Sequence, residues 1–139
     1  MQDTLSKTDV LKGGEFLISD TPGPESTFIP EEMNEEQLMI RDTVRDFLNT
    51  EILPNIDRIE AQEEGLAPQL LEKMAELGLL GSHMPEEYGG MQLDTNTNTM
   101  ICDVFGPAAA FTVSYAAHTG IGMLPILYFG DESQKAAYL

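Results

Sequence analysis

The sequence holds a single cysteine, Cys102, in 139 residues. No internal disulfide can form, and no cysteine-based metal framework is available. Cys102 falls in an apolar pattern with Ile101, Val104 and Phe105, which predicts a small core residue rather than a nucleophile. Histidine is nearly as scarce. His83 and His118 are the only two, and they have neither the helical spacing of a two-histidine metal site nor a motif for a Ser-His-Asp triad. No metal site is expected. Cations are few as well, with 7 Lys and Arg against 24 Asp and Glu and a formal net charge of −17. Nucleic-acid binding needs Lys and Arg to replace counterions on phosphates, so that class is excluded. Anionic lipid head groups would repel such a surface. The pairs Gly89-Gly90 and Gly120-x-Gly122 lack the Lys-Ser/Thr that a phosphate loop requires. Met1 leads into Gln2, Asp3 and Thr4 with no basic start and no apolar signal core, so a cytoplasmic location is the expectation.

What is present is a globular balance, 42% hydrophobic and 22% charged residues, in a chain of single-domain size. Asp, Glu, Lys and Arg are all missing from Val104 to Gly130. By length that stretch could cross a bilayer, for which about 20 apolar residues suffice. Gly106, Pro107, Gly120, Gly122 and Pro125 interrupt it, and Thr112, Ser114, His118 and Thr119 add hydrogen-bonding groups. No Lys/Arg cluster flanks it to set an orientation. It reads as two short buried helices meeting at Thr119-Gly120, with no membrane span.

Residues 1–30 are polar, with one apolar knot at Phe16-Leu17-Ile18, and predict an extended arm. Asn34 with Gln37 makes a capping box that opens a first helix. Ile40, Val44, Phe47, Leu48 and Ile52 give it a buried stripe. Pro54 must kink it, and Ile56 and Ile59 carry the period on to about Gln62. A second helix is expected from Pro68, closed by Gly78. Pro85 to Gly90 is a turn in which Gly89 and Gly90 are free to take positive φ. Asp94 caps a third helix from Thr95 to Phe105. A fourth runs from about Ala108 to His118 and a fifth from about Ile121 to Phe129. Asp131 with Gln134 opens a sixth. No segment alternates as a strand would. The expected fold is all-α, an antiparallel helical bundle of about six helices behind an irregular N-terminal arm. The carboxylates on the polar faces of the first two helices read as solvated surface.

Four segments, in order, carry a resemblance. They are Leu77-Gly78-Leu79-Leu80-Gly81, Pro85-Glu86-Glu87-Tyr88-Gly89-Gly90, Ala117-His118-Thr119-Gly120-Ile121-Gly122, and Phe129-Gly130-Asp131-Glu132-Ser133-Gln134-Lys135-Ala136-Ala137-Tyr138-Leu139. With them, residues 31–139 resemble the N-terminal helical domain of the acyl-CoA dehydrogenases. Lys12-Gly13-Gly14-Glu15-Phe16-Leu17 looks most like the branch related to very-long-chain enzymes.

The resemblance implies an FAD-dependent oxidoreductase that abstracts the α-proton of a fatty acyl-CoA and passes a β-hydride to the flavin. It implies electron-transfer flavoprotein as the electron acceptor, and a homo-oligomer is expected because the faces that pack on the family's later domains would leave apolar surface exposed. Its middle β domain and C-terminal helical domain, which carry the catalytic glutamate and most flavin contacts, have no motifs in this chain. No catalytic residue is therefore carried over. One role is: Ser114, Ala117 and Ile121, with Val113 and Ala116 nearby, fall where the family lines its acyl-chain tunnel. Two small residues, Ala116 and Ala117, would leave room for a long tail. The alternatives are the same domain from an acyl-CoA oxidase or flavin monooxygenase, and a stand-alone helical binding module.

Overall fold

The structure, a computed structural model, describes residues 28–108 and 110–139. The chain divides into two units, Met1–Met33 and Asn34–Leu139. Among the described residues of the first, a 3-10 turn spans Pro30–Glu32, and the Ile29 N–H donates to Glu32 Oε2 at 3.4 Å. Nearly all of the expected arm, including Phe16 to Ile18 and the stretch Lys12 to Leu17, lies outside the described residues.

In the second unit every regular element among the described residues is helical. Helix α1 spans Glu35–Phe47 and opens on the expected box. Asn34 Oδ1 accepts from the Gln37 N–H at 2.9 Å, and Gln37 Oε1 accepts from the Asn34 N–H at 3.0 Å. The helix then widens into a π-turn at Leu48–Ile52, tightens into 3-10 at Leu53–Asn55, and resumes as α2, Ile56–Glu60. Pro54 thus bends one helix without ending it, because the change of pitch absorbs its missing donor.

Helix α3 spans Leu66–Glu76. It starts two residues before the expected Pro68. Gly65, at φ 81°, turns the chain into it, and the Gly65 carbonyl accepts from the Gln69 N–H at 3.2 Å. Pro68 lies in the first turn, where a missing N–H leaves nothing unpaired. Gly78 closes the helix at φ 75° and leads into the 3-10 turn Leu79–Gly81.

The next turn departs from its sequence reading. Gly89 has φ 80° and Gly90 does not. Gly90 is needed for a different reason: a Cβ there would run into the Met84 carbonyl. Helix α4 follows at Thr95–Val104 under the Asp94 cap.

The last part of the chain holds the main correction. Helix α5, Ala110–Ala116, passes through a π-turn at Ala117–Gly122 into α6, Met123–Phe129, with no break. The expected fourth and fifth helices are therefore one. Joined helices in the described residues number five, the last being α7, Glu132–Tyr138. The stretch is also not buried throughout. Phe111, Tyr115, Thr119 and Met123 face the core, while Val113, Ile121, Tyr128 and Phe129 are more than two-thirds exposed. The helix Ala110–Phe129 is long and apolar enough to cross a membrane by length and composition. Its buried stripe nevertheless seats it in the domain.

The core sits where α1 packs on α4 and where the turn Leu79–Gly81 meets the π-turn of the long helix. Val44, Ile52, Met74, Ile101 and Phe105 are wholly buried. Phe105 stacks obliquely on Tyr115 with ring centroids 5.3 Å apart, and edge-on to Phe111 at 6.5 Å. Cys102, one residue beyond buried Ile101, faces outward and is exposed, not part of this core. The helical phase set by Ile101 and Phe105 points it the other way.

Candidate functional site

The residues singled out from the sequence all lie on the long helix. Ser114, Ala117 and Ile121 are exposed, on the side away from the core. Spacings of three and four residues place them together on one helix face. Val113, 69% exposed, and Ile121, 81% exposed, are its largest apolar groups. The described residues enclose no tunnel here. They form one wall of small and apolar side chains.

Both chemistry and packing keep that wall apolar. Ser114 Oγ donates back to the Ala110 carbonyl at 3.4 Å, so its hydroxyl is turned along the helix rather than outward. Thr119 Oγ1 donates to the Tyr115 carbonyl at 3.0 Å on the core side. The Tyr115 hydroxyl donates to the Leu79 carbonyl at 3.4 Å, which ties the helix to the Leu79–Gly81 turn. Burial pushes the Tyr115 phenol above its ordinary pKa. Thr112 Oγ1 reaches the Phe105 carbonyl at 2.5 Å, and the Ala110 N–H donates to Glu60 Oε1 at 3.3 Å. A carboxylate at that helix start offsets the positive end of the helix dipole.

Beside Ser114 a groove of about 320 Å³ opens between the α2–α3 turn and α5. Ile59, Gly65, Ala67 and Phe111 form its floor, with Glu63 and Glu64 at its edge. Arg58 pairs with Glu63 at that edge, at 2.5 Å, and this bond lowers the Glu63 pKa. Ala117 and Ile121 do not border the groove. Of the three predicted residues, then, one faces both the wall and the groove.

The sequence reading missed a polar network linking α1 to α4. Gln37 Nε2 donates to Thr97 Oγ1 at 2.9 Å and to Asp94 Oδ2 at 3.4 Å. Asp94 Oδ1 accepts from the Thr97 N–H at 2.9 Å, and the Asp94 pKa is lowered chiefly by that backbone bond. Gln37 therefore completes the cap of its own helix through Oε1 and steadies the Asp94 cap of α4 through Nε2. The sequence signal was a polar residue, Gln37, on the face that also carries Val44. His83 is half-buried, and burial lowers its pKa. It lies away from the wall in sequence and in the described contacts, with Ser82 Oγ 3.4 Å from its Nδ1.

The geometry defines the class first: an all-α domain whose long apolar helix is buried on one side and open on the other. A family model described as acyl-CoA dehydrogenase, N-terminal domain, matches residues 34–139. The chain belongs to that family. It is similar to a probable acyl-CoA dehydrogenase of Bacillus subtilis, 46% identical over 131 residues, which covers 94% of this chain and 22% of the relative. A bovine mitochondrial enzyme named short-chain specific acyl-CoA dehydrogenase is 31% identical over 109 residues, covering 78% of this chain and 26% of that one. Among solved structures, an acyl-CoA dehydrogenase complexed with FAD from Bacillus anthracis superimposes with a TM-score of 0.83 at 42% identity. It covers 91% of this chain and 22% of its own. The chain thus spans about a quarter of the length of the relatives it matches.

Proposed function

We propose that this chain is the N-terminal helical domain of an FAD-dependent acyl-CoA dehydrogenase, and that the outer face of its long helix is one wall of the acyl-chain tunnel. The enzyme would remove the α-proton and β-hydride of a fatty acyl-CoA and pass electrons to an electron-transfer flavoprotein, as a homo-oligomer. The observation that carries the wall assignment is the apolar, small-residue face of Ser114, Ala117 and Ile121, left open on a helix whose other face is packed. Such a face recognises methylene groups, with Ser114 and the exposed His118 as the polar side chains on it.

The described residues do not themselves fit a flavin. Each of their five basic side chains, Arg41, Arg45, Arg58, Lys73 and Lys135, already lies against a carboxylate. A pyrophosphate would find no spare cation among them. The middle and C-terminal domains of the complete enzyme are proposed to hold the FAD and to carry the catalytic glutamate. Purified alone, this chain should be colourless, and flavin absorbance retained through gel filtration would contradict that division of labour.

Small residues at Ala116 and Ala117 support a preference for long chains. Each buried CH₂ contributes about 0.8 kcal/mol. Filling the space of two methylenes with Ala117→Phe should then cost the longest substrates about 1.6 kcal/mol, roughly fifteenfold in kcat/KM, and spare short ones. Measuring kcat/KM for a series of acyl-CoAs in the flavin-loaded holoenzyme tests this. An unchanged chain-length profile would refute the wall.

A further inference from the structure

Burial along the long helix repeats every four residues. Phe111, Tyr115, Thr119 and Met123 are buried, and every described position between them is wholly or partly exposed. A regular helix turns about 100° per residue, so twelve residues would carry Met123 about 120° away from Phe111. The π-turn at Ala117–Gly122 removes that drift by underwinding the helix. The outer face is straightened by the same amount. Val113, Ala117, Ile121, Pro125 and Phe129, also four apart, are all exposed. In a regular helix Ile121 would lie about 80° round the axis from Val113, and one extended chain could not touch both.

One residue is placed to hold the wide turn. The Met123 N–H donates to two carbonyls, that of Gly120 three residues back and that of His118 five residues back. At Gly122, a Cβ would stand 3.2 Å from the Ala117 carbonyl oxygen, closer than side chains normally come. A Cβ at Gly120 would meet nothing within 4 Å. The two glycines thus differ: Gly120 has open space for a side chain, and at Gly122 a Cβ is accommodated only if the Ala117 carbonyl gives by a few tenths of an ångström.

We propose that Gly122 is a positioning residue that maintains the π-turn and so aligns Val113, Ala117 and Ile121 into a straight ridge along which an extended acyl chain lies. This rests on the acyl-wall reading above. Gly122 itself touches no substrate; it acts through the phase of the helix. Gly122→Ala pushes the turn toward regular pitch and rotates the halves of the ridge out of line. Gly120→Ala has open space and leaves the phase alone. Deletion of Gly120 is the opposite control. It brings the Phe111-to-Met123 spacing to eleven residues, about 1,100°, close to three regular turns, and Val113 to Ile121 to seven residues, about 700°, close to two turns, so core stripe and ridge both keep their register without a π-turn.

The test compares acyl-CoA chain-length profiles of the flavin-loaded holoenzyme carrying Gly122→Ala, Gly120→Ala, the Gly120 deletion, or Ala117→Phe. Melting temperature is measured on each. Gly122→Ala is expected to lower the long-to-short ratio of kcat/KM by roughly tenfold, mainly through KM, with Gly120→Ala and the deletion within twofold of the parent. A fall in melting temperature with an unchanged profile overturns the positioning role, since a purely structural glycine would do that. A shift with Ala117→Phe and none with Gly122→Ala overturns this proposal and leaves the acyl wall standing. No shift in any variant overturns both.

Discussion

A few side chains carry more than their own element. Gln37 is the clearest case, because one amide caps α1 and steadies the cap of α4. Asp94 is its partner, and hydrogen bonds from Thr97 hold its carboxyl below the ordinary range. The sign of the pH effect follows. A carboxylate with a lowered folded pKa stabilises the fold fully above its unfolded value of about 3.9, and that contribution is lost as pH falls through the folded value. Asp94→Ala should cost about 0.5–1 kcal/mol at pH 7, the low end for a cap, since the carboxylate is exposed. Urea denaturation of this chain at pH 7 and below pH 4 checks it. The gap between parent and variant should narrow in acid, and a gap that widens would contradict the capping account.

At the scale of elements, capping boxes and proline positions were legible and pitch was not. Asn34, Asp94 and Asp131 announce helix starts through short side chains that must accept from the third residue onward, and all three do so. Gly120 and Gly122 looked like a break between two helices, since glycine in a helix interior is unfavourable by about 1 kcal/mol. The structure instead uses them in a wide turn. The signal was present in the spacing Phe111, Tyr115, Thr119, Met123, which is four throughout and fits no regular helix. Cys102 was misread for a related reason: an apolar neighbourhood in sequence spans both faces of a helix. The glycine pair at Gly89 and Gly90 was read as two flexible residues, whereas Gly90 is a close-approach position. Gly90→Ala should therefore destabilise this chain by about 1–3 kcal/mol, the range for forcing atoms into a packed site. Gly89→Ala would fail differently, through its positive φ. A thermal melt of Gly90→Ala indistinguishable from the parent would contradict the geometry.

For the whole molecule, all-helical architecture and family membership were readable because four motifs fall in order along the chain. The candidate site was readable only in part. Ser114, Ala117 and Ile121 do share a face, but the expectation of a buried pair of helices concealed that this face is open and straight. Burial depends on what packs against a helix, and an uncharged sequence reports only that no charge opposes packing. The −17 charge belongs to this scale too. Among the described residues the carboxylates lie on the other helix faces and turns and are absent from the one face proposed to meet an acyl chain. Direct labelling of that face tests the central claim. A fatty acyl-CoA carrying a photoreactive diazirine along its tail would be bound to the flavin-loaded holoenzyme, irradiated, and the labelled peptides sequenced by mass spectrometry. The account predicts adducts on Val113, Ser114, Ala117 or Ile121, suppressed by unlabelled acyl-CoA. Competable label on other segments, with none between Ala110 and Phe129, would contradict it.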